Sequence, residues 1–380
     1  MTESGSDLAA PAKAETEAPD GATEHAATDT AQRRNEANTA ADTVAHTAED
    51  RAEDTAQSAA GVAPGRGLAR SPAAASRTEE DGSAHGQQEA VASRAGRHPV
   101  LKTYKLYIGG KFPRTESGRY ERLTDATGAT LANFCRASRK DFRDAVVAAR
   151  AAQPGWTGAS AYNRGQVIYR AAEMLEGRRE QFVSELVLEG VQAAAAEAEV
   201  SASVDRLIHY AGWCDKVQQV FSAVNPVASS HFNFSILEPT GVVAALAPPS
   251  PGLLGLVSVL APILVPGNSA VVLASAGHPL TAITLAEVLH SSDVPGGVVN
   301  LLTGRRDELL PHMASHLDVN AVVLCDGDAT ERELTQGEAV HNLKRVVLRD
   351  RVDWSSEEAQ DPYSIVETCE IKTTWHPIGS

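Results

Sequence analysis

The chain has 380 residues and a formal net charge of −15, with 34 basic and 49 acidic side chains. This negative net charge argues against a nucleic-acid partner, because proteins that bind the phosphate backbone concentrate positive charge. The four cysteines show no Cys-x-x-Cys spacing and no His-Glu-x-x-His motif is present, so no metal site is expected. Free thiols of this kind are typical of a cytoplasmic protein.

Residues 1–98 differ in composition from the rest of the chain. They contain no Phe, Trp, Tyr, Ile or Cys and only two leucines, and they are rich in Ala, Thr, Glu and Asp. Such a segment cannot bury enough apolar surface to offset the entropy lost on ordering. We therefore predict a disordered, acidic, Ala-rich tail at 1–98, followed by about 280 residues that can support a hydrophobic core.

Residues 99–237 are predicted to form a helical region that begins with a hairpin. Gly109-Gly110 lies between two short apolar runs, as in a two-residue hairpin turn. Ser138 and Asp141 have the spacing of a capping box at the start of a helix. The helical patterns cover about 138–153, ending at Pro154-Gly155, then 160–176 and 178–222, and a strand pattern covers 231–237.

Residues 238–350 alternate between short apolar strands and helices. The predicted strands are 242–246, 270–273, 298–302, 321–324 and 346–348, and the predicted helices are 253–264, 281–289, 308–316 and 329–341. Such alternation with short Gly/Pro loops produces right-handed crossovers and a parallel sheet. We therefore predict an α/β fold with a doubly wound, Rossmann-like sheet of about five strands. Prolines interrupt its charge-free stretch, which favours buried strands over a membrane span.

Residues 351–380 are predicted to be a linker followed by a lone strand. The pattern SIVETCEIKTTW at 364–375 places Ile365, Cys369, Ile371 and Trp375 on one face. No helix accompanies this strand, so it must add to the edge of a sheet in this chain or in another. We therefore expect residues 364–376 to be an oligomerisation strand.

The passage PTGVVAALAPPSPGLLGLVSVLAPILVPGNSAVVLASAGHPLTAITLAEVLHSSDVPGGVVNLLTG at 239–304 resembles the cofactor-binding domain of the NAD(P)-dependent aldehyde dehydrogenase superfamily. IGGKF near residue 110 and ETCEIKTTWHP near the end resemble the first hairpin and the last strand of that family. In the family a whole catalytic domain separates the cofactor domain from the last strand, and here only 351–365 separate them. The resemblance therefore implies a truncated member that lacks the catalytic domain.

The resemblance also implies that the catalytic positions are altered. Ser250 stands where the family has the asparagine that donates to the oxyanion, and loss of such a donor typically costs ~10²–10³ in rate. Arg349 stands at the general-base glutamate, and an arginine stays protonated and cannot act as a base. The sequence context of the nucleophilic cysteine is absent. We therefore expect no catalytic residue at the degenerate positions Ser250 and Arg349.

The cofactor-binding positions implied by the resemblance are Pro248, Ser250, Ala274, Gly304 and Gly327. The family's ribose-binding lysine is replaced by Ala274, and Asp326 brings a negative charge to the turn where phosphates would lie. Weak binding of NAD or NADP, or none, is therefore expected. Arg305 or Arg306 could pair with a phosphate instead, although a solvated loop charge is the simpler interpretation.

The leading hypothesis is a non-catalytic subunit or scaffold that associates with a full-length aldehyde dehydrogenase, or with itself, through residues 364–376. The missing domain would leave one side of the cofactor-type domain uncovered, and large apolar patches usually mark interfaces. One alternative is an active NAD(P)-dependent oxidoreductase that acts on an aldehyde, with the chemistry supplied by Cys369, by Cys325 or by a partner's domain. Another is a dinucleotide-binding sensor. We expect a cytoplasmic protein with no nucleic-acid or membrane partner.

Overall fold

The computed structural model describes residues 101–125 and 127–379, and the predicted tail at 1–98 lies outside them. Within the described residues, helices cover a five-stranded parallel sheet, and two three-stranded sheets accompany it. No helix in this part of the chain is long and apolar enough to cross a bilayer.

The first three-stranded sheet comes before the helical region. Its strands, in the order β1-β3-β2, are β1 (Thr103–Tyr104), β2 (Tyr120–Thr124) and β3 (Thr130–Cys135). The predicted hairpin turn is confirmed: Gly109 and Gly110 have φ angles of +60° and +75°, and the amide of Ile108 donates to the carbonyl of Lys111 at 2.9 Å. Positive φ values at both central positions are the reason for the two glycines.

Five helices and two strands follow. They are α1 (Arg139–Gly158), α2 (Ala161–Glu176), α3 (Arg179–Leu188), α4 (Ala193–Trp213), α5 (Val217–Phe221), β4 (Ala223–Asn225) and β5 (His231–Pro239). The predicted capping box of α1 is confirmed, because Ser138 Oγ accepts from the amide of Asp141 at 3.2 Å and the Asp141 carboxylate accepts from the amide of Ser138 at 2.7 Å. These bonds satisfy two amides that the first helical turn leaves unpaired.

The prediction that Pro154-Gly155 ends the first helix is wrong. Helix α1 continues to Gly158, with Pro154 inside it. The buried Trp156 lies in the last turn, and its Nε1 donates to the carbonyl of Leu264 at 3.0 Å. Burial of a large aromatic side chain with a satisfied polar group outweighs the local cost of the proline.

The central sheet alternates with helices along the chain. Its elements are β6 (Val242–Leu246), α6 (Gly252–Leu264), β7 (Ser269–Leu273), α7 (Pro279–His290), β8 (Val299–Leu302), α8 (Arg306–Ser315), β9 (Ala321–Cys325), α9 (Ala329–Ala339) and β10 (Arg345–Arg349). The strands are all parallel in the order β10-β9-β6-β7-β8, which confirms the predicted doubly wound sheet. Along β6, Val243 packs in the cluster that contains α6 and α7, whereas Val242 packs in the cluster that contains α1 and α8. Helices therefore cover both faces.

Residues 351–368, which we call the cover segment, pack over helix α6. It contains a 3₁₀ turn at Glu357–Gln360 and the short helix α10 (Tyr363–Val366). Trp354 and Ile365 are buried in the cluster that also contains α6. The residues after the central sheet thus supply apolar side chains to the face of α6.

The last strand, β11 (Cys369–Pro377), pairs antiparallel with β5, and β4 pairs with β5 on the other side. The predicted strand at 364–375 begins later than expected, because residues 363–366 are helical. Ile365 therefore belongs to α10 and not to the face that Cys369, Ile371 and Trp375 share. The strand adds to a sheet edge in its own chain, which is one of the two outcomes that the sequence left open.

Replacing Ile365 by alanine is expected to lower the free energy of unfolding by about 2–5 kcal/mol, because the substitution empties a fully buried site. The matched control is Ile378→Ala, whose side chain is 53 % exposed, and its effect is expected to stay near ~0.5 kcal/mol. Urea denaturation followed by circular dichroism measures both. Equal, small effects would contradict the packing of the cover segment.

Candidate functional site

The residues predicted from the sequence lie along one edge of the central sheet. They are Pro248 and Ser250 after β6, Ala274 after β7, Gly304 after β8, Gly327 after β9, and Arg349 at the end of β10. Because the strands are parallel, their carboxyl ends meet at this edge, where open α/β sheets bind ligands. Ser250 is exposed, Arg349 is half-buried and the other four are buried.

The amino terminus of helix α6 is occupied by a carboxylate of the same chain. Glu199 on α4 accepts from the amides of Leu253 at 2.7 Å and Leu254 at 3.2 Å. These are donors that a pyrophosphate would use in a dinucleotide-binding fold, because a helix amino terminus offers free amides and a positive dipole end. Glu199 is only 8 % exposed, so solvent screens its charge poorly.

Helix α7 has the same arrangement at its amino terminus. The Glu189 carboxylate accepts from the amide of Leu280 at 2.6 Å and from Thr281 Oγ1 at 2.9 Å. His278 Nδ1 lies 3.4 Å from this carboxylate. Helix α6, which follows β6, and helix α7, which follows β7, are thus both capped by glutamates from the helical region.

The crevice between helices α6 and α7 is filled by side chains and closed by a hydrogen bond. A Cβ atom added at Gly252 would collide with the His278 ring, and one added at Gly255 would collide with the Pro248 ring. Ser275 Oγ donates to the carbonyl of Pro249 at 2.9 Å, which joins the loop after β6 to the loop after β7. Ala274, between these groups, offers no charged end to a ribose.

The loop after β8 is held by contacts within the chain. Gly304 has a φ of +152°, and a Cβ there would lie 3.1 Å from the amide nitrogen of Ala137. This glycine is therefore required for close packing against another loop. Arg305 pairs with Glu121 at 2.7 Å, and Arg306 lies 2.9 Å from Glu331. Arg305, whose side chain is 52 % exposed, is a solvated loop charge as the sequence suggested, whereas Arg306 is partly buried, and both arginines are paired with carboxylates.

The turn after β9 is acidic and tightly packed. The Asp326 carboxylate accepts from the amide of Arg351 at 2.8 Å, and a Cβ at Gly327 would lie 2.6 Å from a methyl carbon of Leu324. Asp328 caps helix α9 by accepting from the amide of Glu331 at 2.8 Å. A phosphate at this helix amino terminus would therefore compete with the Asp328 carboxylate, which already accepts from a helix amide.

Arg349 is fixed by the cover segment. It forms an ion pair with Glu367 and donates to Ser364 Oγ at 2.9 Å. Arg349 and Glu367 are among the residues that line a cavity of about 160 Å³ between the cover segment, α6, β9 and β10. A guanidinium that is paired with a carboxylate stays protonated, so it can orient or neutralise an anionic group but cannot accept a proton.

The family profile described as the aldehyde dehydrogenase family matches residues 112–349, which is more than half of the chain. The chain belongs to this family. Among related proteins, the mitochondrial 10-formyltetrahydrofolate dehydrogenase of Homo sapiens is 29% identical over 255 residues, covering 66% of this chain and 28% of that protein. The D-glyceraldehyde dehydrogenase (NADP(+)) of Thermoplasma acidophilum is 30% identical over 250 residues, covering 64% of this chain and 49% of that protein.

Solved structures, including that of an aldehyde dehydrogenase, share the fold. The NAD+ complex of the enzyme from Bacillus cereus superposes with a TM-score of 0.62 at 26% identity, covering 65% of this chain and 51% of that one. PnpE from Pseudomonas sp. WBC-3 also superposes with a TM-score of 0.62, at 27% identity over 65% of this chain. The chain therefore spans about half or less of the length of the relatives it matches.

The cysteines of this family member are inaccessible. All four are buried, and burial raises the pKa of the Cys214, Cys325 and Cys369 thiols to about 12. Cys369 Sγ also donates to the carbonyl of Ile365 at 3.2 Å. Since the thiolate is the nucleophilic form, neither Cys325 nor Cys369 is prepared to attack an aldehyde near neutral pH. Across 101–125 and 127–379, no cluster of three or more metal-ligating side chains occurs.

The folded chain is expected to react very slowly with an aromatic disulfide reagent at pH 7–8, because its thiols are buried and protonated. All four cysteines should react at once after denaturation in guanidinium. The variant Thr373→Cys, with its exposed new thiol, is the control and should consume one equivalent rapidly. Fast reaction of a native cysteine in the folded wild-type chain would contradict this prediction.

Proposed function

We propose that this aldehyde-dehydrogenase-family chain is a non-catalytic subunit or scaffold that binds NAD or NADP weakly or not at all. It associates with a complete aldehyde dehydrogenase through its C-terminal strand. The fold retains the parallel sheet and helices on which relatives bind a cofactor. The chain's own side chains occupy the places where a ligand would bind. This combination favours a role in assembly over a role in turnover.

Arg349 is the main support for a chain that does not catalyse aldehyde oxidation. It ends β10, at the position that the resemblance assigns to a general base, and it is held by Glu367 and Ser364. A proton acceptor is required to activate water or a thiol in aldehyde oxidation, and arginine does not supply one. The buried thiols remove the nucleophile as well.

The helix caps support weak cofactor binding. Glu199 and Glu189 take the amides at the amino termini of α6 and α7. A dinucleotide would have to displace both carboxylates and then lie beside them, at a cost in electrostatic repulsion at low dielectric. His278 fills the space between the two helices, so displacement would also require repacking.

The exposed surface of the β4-β5-β11 sheet supports a role in association. Ile371 is 68 % and Trp375 is 57 % exposed on one face of β11, and Phe232 on β5, which pairs with His376, is 45 % exposed on the opposite face. Large apolar side chains in one small sheet are unusual on a surface that faces only water. Within residues 101–125 and 127–379, β11 is also an edge strand of its sheet, which favours pairing with another chain.

The isolated chain is expected to show no turnover of a simple aldehyde and no rise in melting temperature with ~0.1 mM NAD or NADP, because stabilisation follows the ratio of ligand to dissociation constant. Arg349→Glu, which restores a carboxylate at that position, should remain inactive because no accessible thiolate is available. The D-glyceraldehyde dehydrogenase (NADP(+)) of Thermoplasma acidophilum serves as the active control. Turnover, or a dissociation constant below about 1 mM, would refute the proposal.

A pull-down of the tagged chain from its native cells is expected to recover a complete aldehyde dehydrogenase in near-equal amount, as judged by mass spectrometry. The matched control is a tagged chain with Ile371→Lys and Trp375→Lys, which puts charge on the exposed face of β11 and should lose the dehydrogenase. Recovery of the wild-type chain without a dehydrogenase would exclude the subunit role.

A further inference from the structure

We infer that a basic hollow between helices α1 and α8 binds a small ligand that carries phosphoryl groups. The hollow has a volume of about 490 Å³ and lies on the face of the central sheet opposite to α6 and α7. It shares no residue with the crevice between those two helices or with the sheet that contains β11, so the inference goes beyond the proposed function. Its basic side chains are Arg139, Lys140, Arg143, His312 and His316.

Positive charge is concentrated in the part of the chain that leads into the hollow. Residues 101–143 contain ten basic and four acidic side chains, whereas the whole chain has a net charge of −15. These residues form the first three-stranded sheet and the first turn of α1. A local excess of positive charge raises the local concentration of anions even when the protein as a whole is acidic. The overall charge therefore does not exclude a small anionic ligand at this position.

Two helices each present a pair of basic side chains to the hollow. Arg139 and Arg143 are four residues apart on α1, and His312 and His316 are four residues apart at the carboxyl end of α8. Side chains at this spacing lie on the same face of a helix. The two arginines are exposed and the two imidazoles are half-buried. A ligand in the hollow can therefore be contacted from two sides.

The carboxylates near the hollow leave positive charge in excess. Glu116, the one acidic residue among those that line it in the described part of the chain, pairs with Lys140 at 3.1 Å. Asp144 pairs with Arg143 at 2.8 Å. Arg139 forms an ion pair with no described carboxylate. Burial and then the charge of Arg139 lower the pKa of His312, so the uncompensated charge acts inside the hollow, where it would stabilise an anion.

The donors and the size of the hollow suit phosphoryl groups. Guanidinium groups bind phosphate oxygens through two parallel N–H bonds, and a phosphate offers more acceptor oxygens to several donors than a carboxylate does. The ring of the buried Phe142 contacts His316 edge-on, with 5.8 Å between the ring centroids, and holds the imidazole at the wall. Small-molecule sites typically occupy ~300–1,000 Å³, so the hollow has room for two phosphoryl groups or for a phosphate ester.

Isothermal titration calorimetry of the full chain at constant ionic strength tests the site, with inorganic pyrophosphate and glycerol 3-phosphate as probes. We expect one site with a dissociation constant below about 1 mM for at least one probe. Sulfate should bind about tenfold more weakly than that probe, because it carries less charge. Tighter binding of pyrophosphate would identify an inorganic or polyphosphate ligand, and tighter binding of glycerol 3-phosphate a phosphate ester. No binding of either probe at ~10 mM would overturn the inference.

Removal of the α1 arginines tests the position of the ligand. Arg139→Gln with Arg143→Gln should raise the dissociation constant by about tenfold or more, because the guanidinium donors are lost. The matched control, Lys105→Gln with Arg122→Gln, removes the same charge at exposed positions outside the hollow and should leave the constant within about twofold. Circular dichroism verifies that both variants are folded. Equal weakening by the two variants would indicate non-specific attraction and overturn the assignment of the hollow.

A charge added on the α8 side tests whether both helices contact the ligand. His312→Glu places a carboxylate in the hollow and should raise the dissociation constant by about tenfold or more, because it repels the phosphoryl oxygens. His341→Glu, which adds the same charge at an exposed histidine outside the lining, is the matched control and should have little effect. Unchanged binding in His312→Glu would overturn the two-helix site. These results bear on the hollow alone, since it shares no residue with the surfaces that support the non-catalytic role.

Discussion

The structure depends on the burial of helix α6, which is covered by the central sheet, by α4 and by the cover segment. Two charged residues of α4 make this burial possible. Glu199 satisfies the amides at the amino terminus of α6, and Arg206 donates to Ser258 Oγ at 2.5 Å and to the carbonyl of Trp354 at 2.9 Å. Buried polar groups are tolerated when they are paired in this way. Two side chains of α4 thus join it to α6 and to the cover segment.

The same contacts determine what the carboxyl edge of the sheet can bind. A carboxylate that caps a buried helix cannot leave without exposing unpaired amides, so Glu199 and Glu189 compete with any phosphate for structural reasons. The cover segment then fixes Arg349 through Glu367. The contacts that bury α6 and the contacts that fill this edge of the sheet are therefore partly the same in this member of the aldehyde dehydrogenase family.

Much of the fold could be predicted because its signals are local. Ser138 and Asp141 indicate a helix start by spacing alone, and the apolar strands of the central sheet alternate with helices at regular intervals. The errors have equally definite causes. Pro154 does not end α1, because Trp156 is held by a distant carbonyl. Ile365 is helical and buried, because the cover segment packs on α6. Both outcomes depend on contacts between residues that are far apart in the chain.

The sequence by itself determined the class of fold and the positions of Ser250, Ala274 and Arg349 at the ends of successive strands, because residue type and the alternation of strands with helices can be seen along the chain. Only the tertiary structure decided that Glu199 and Glu189 occupy the helix amino termini. Nothing in the spacing of residues 178–222 marks these glutamates, since the amides they bind lie in other helices. Hydrogen bonds between distant segments form only when packing brings the segments together, and a one-dimensional pattern does not contain that information.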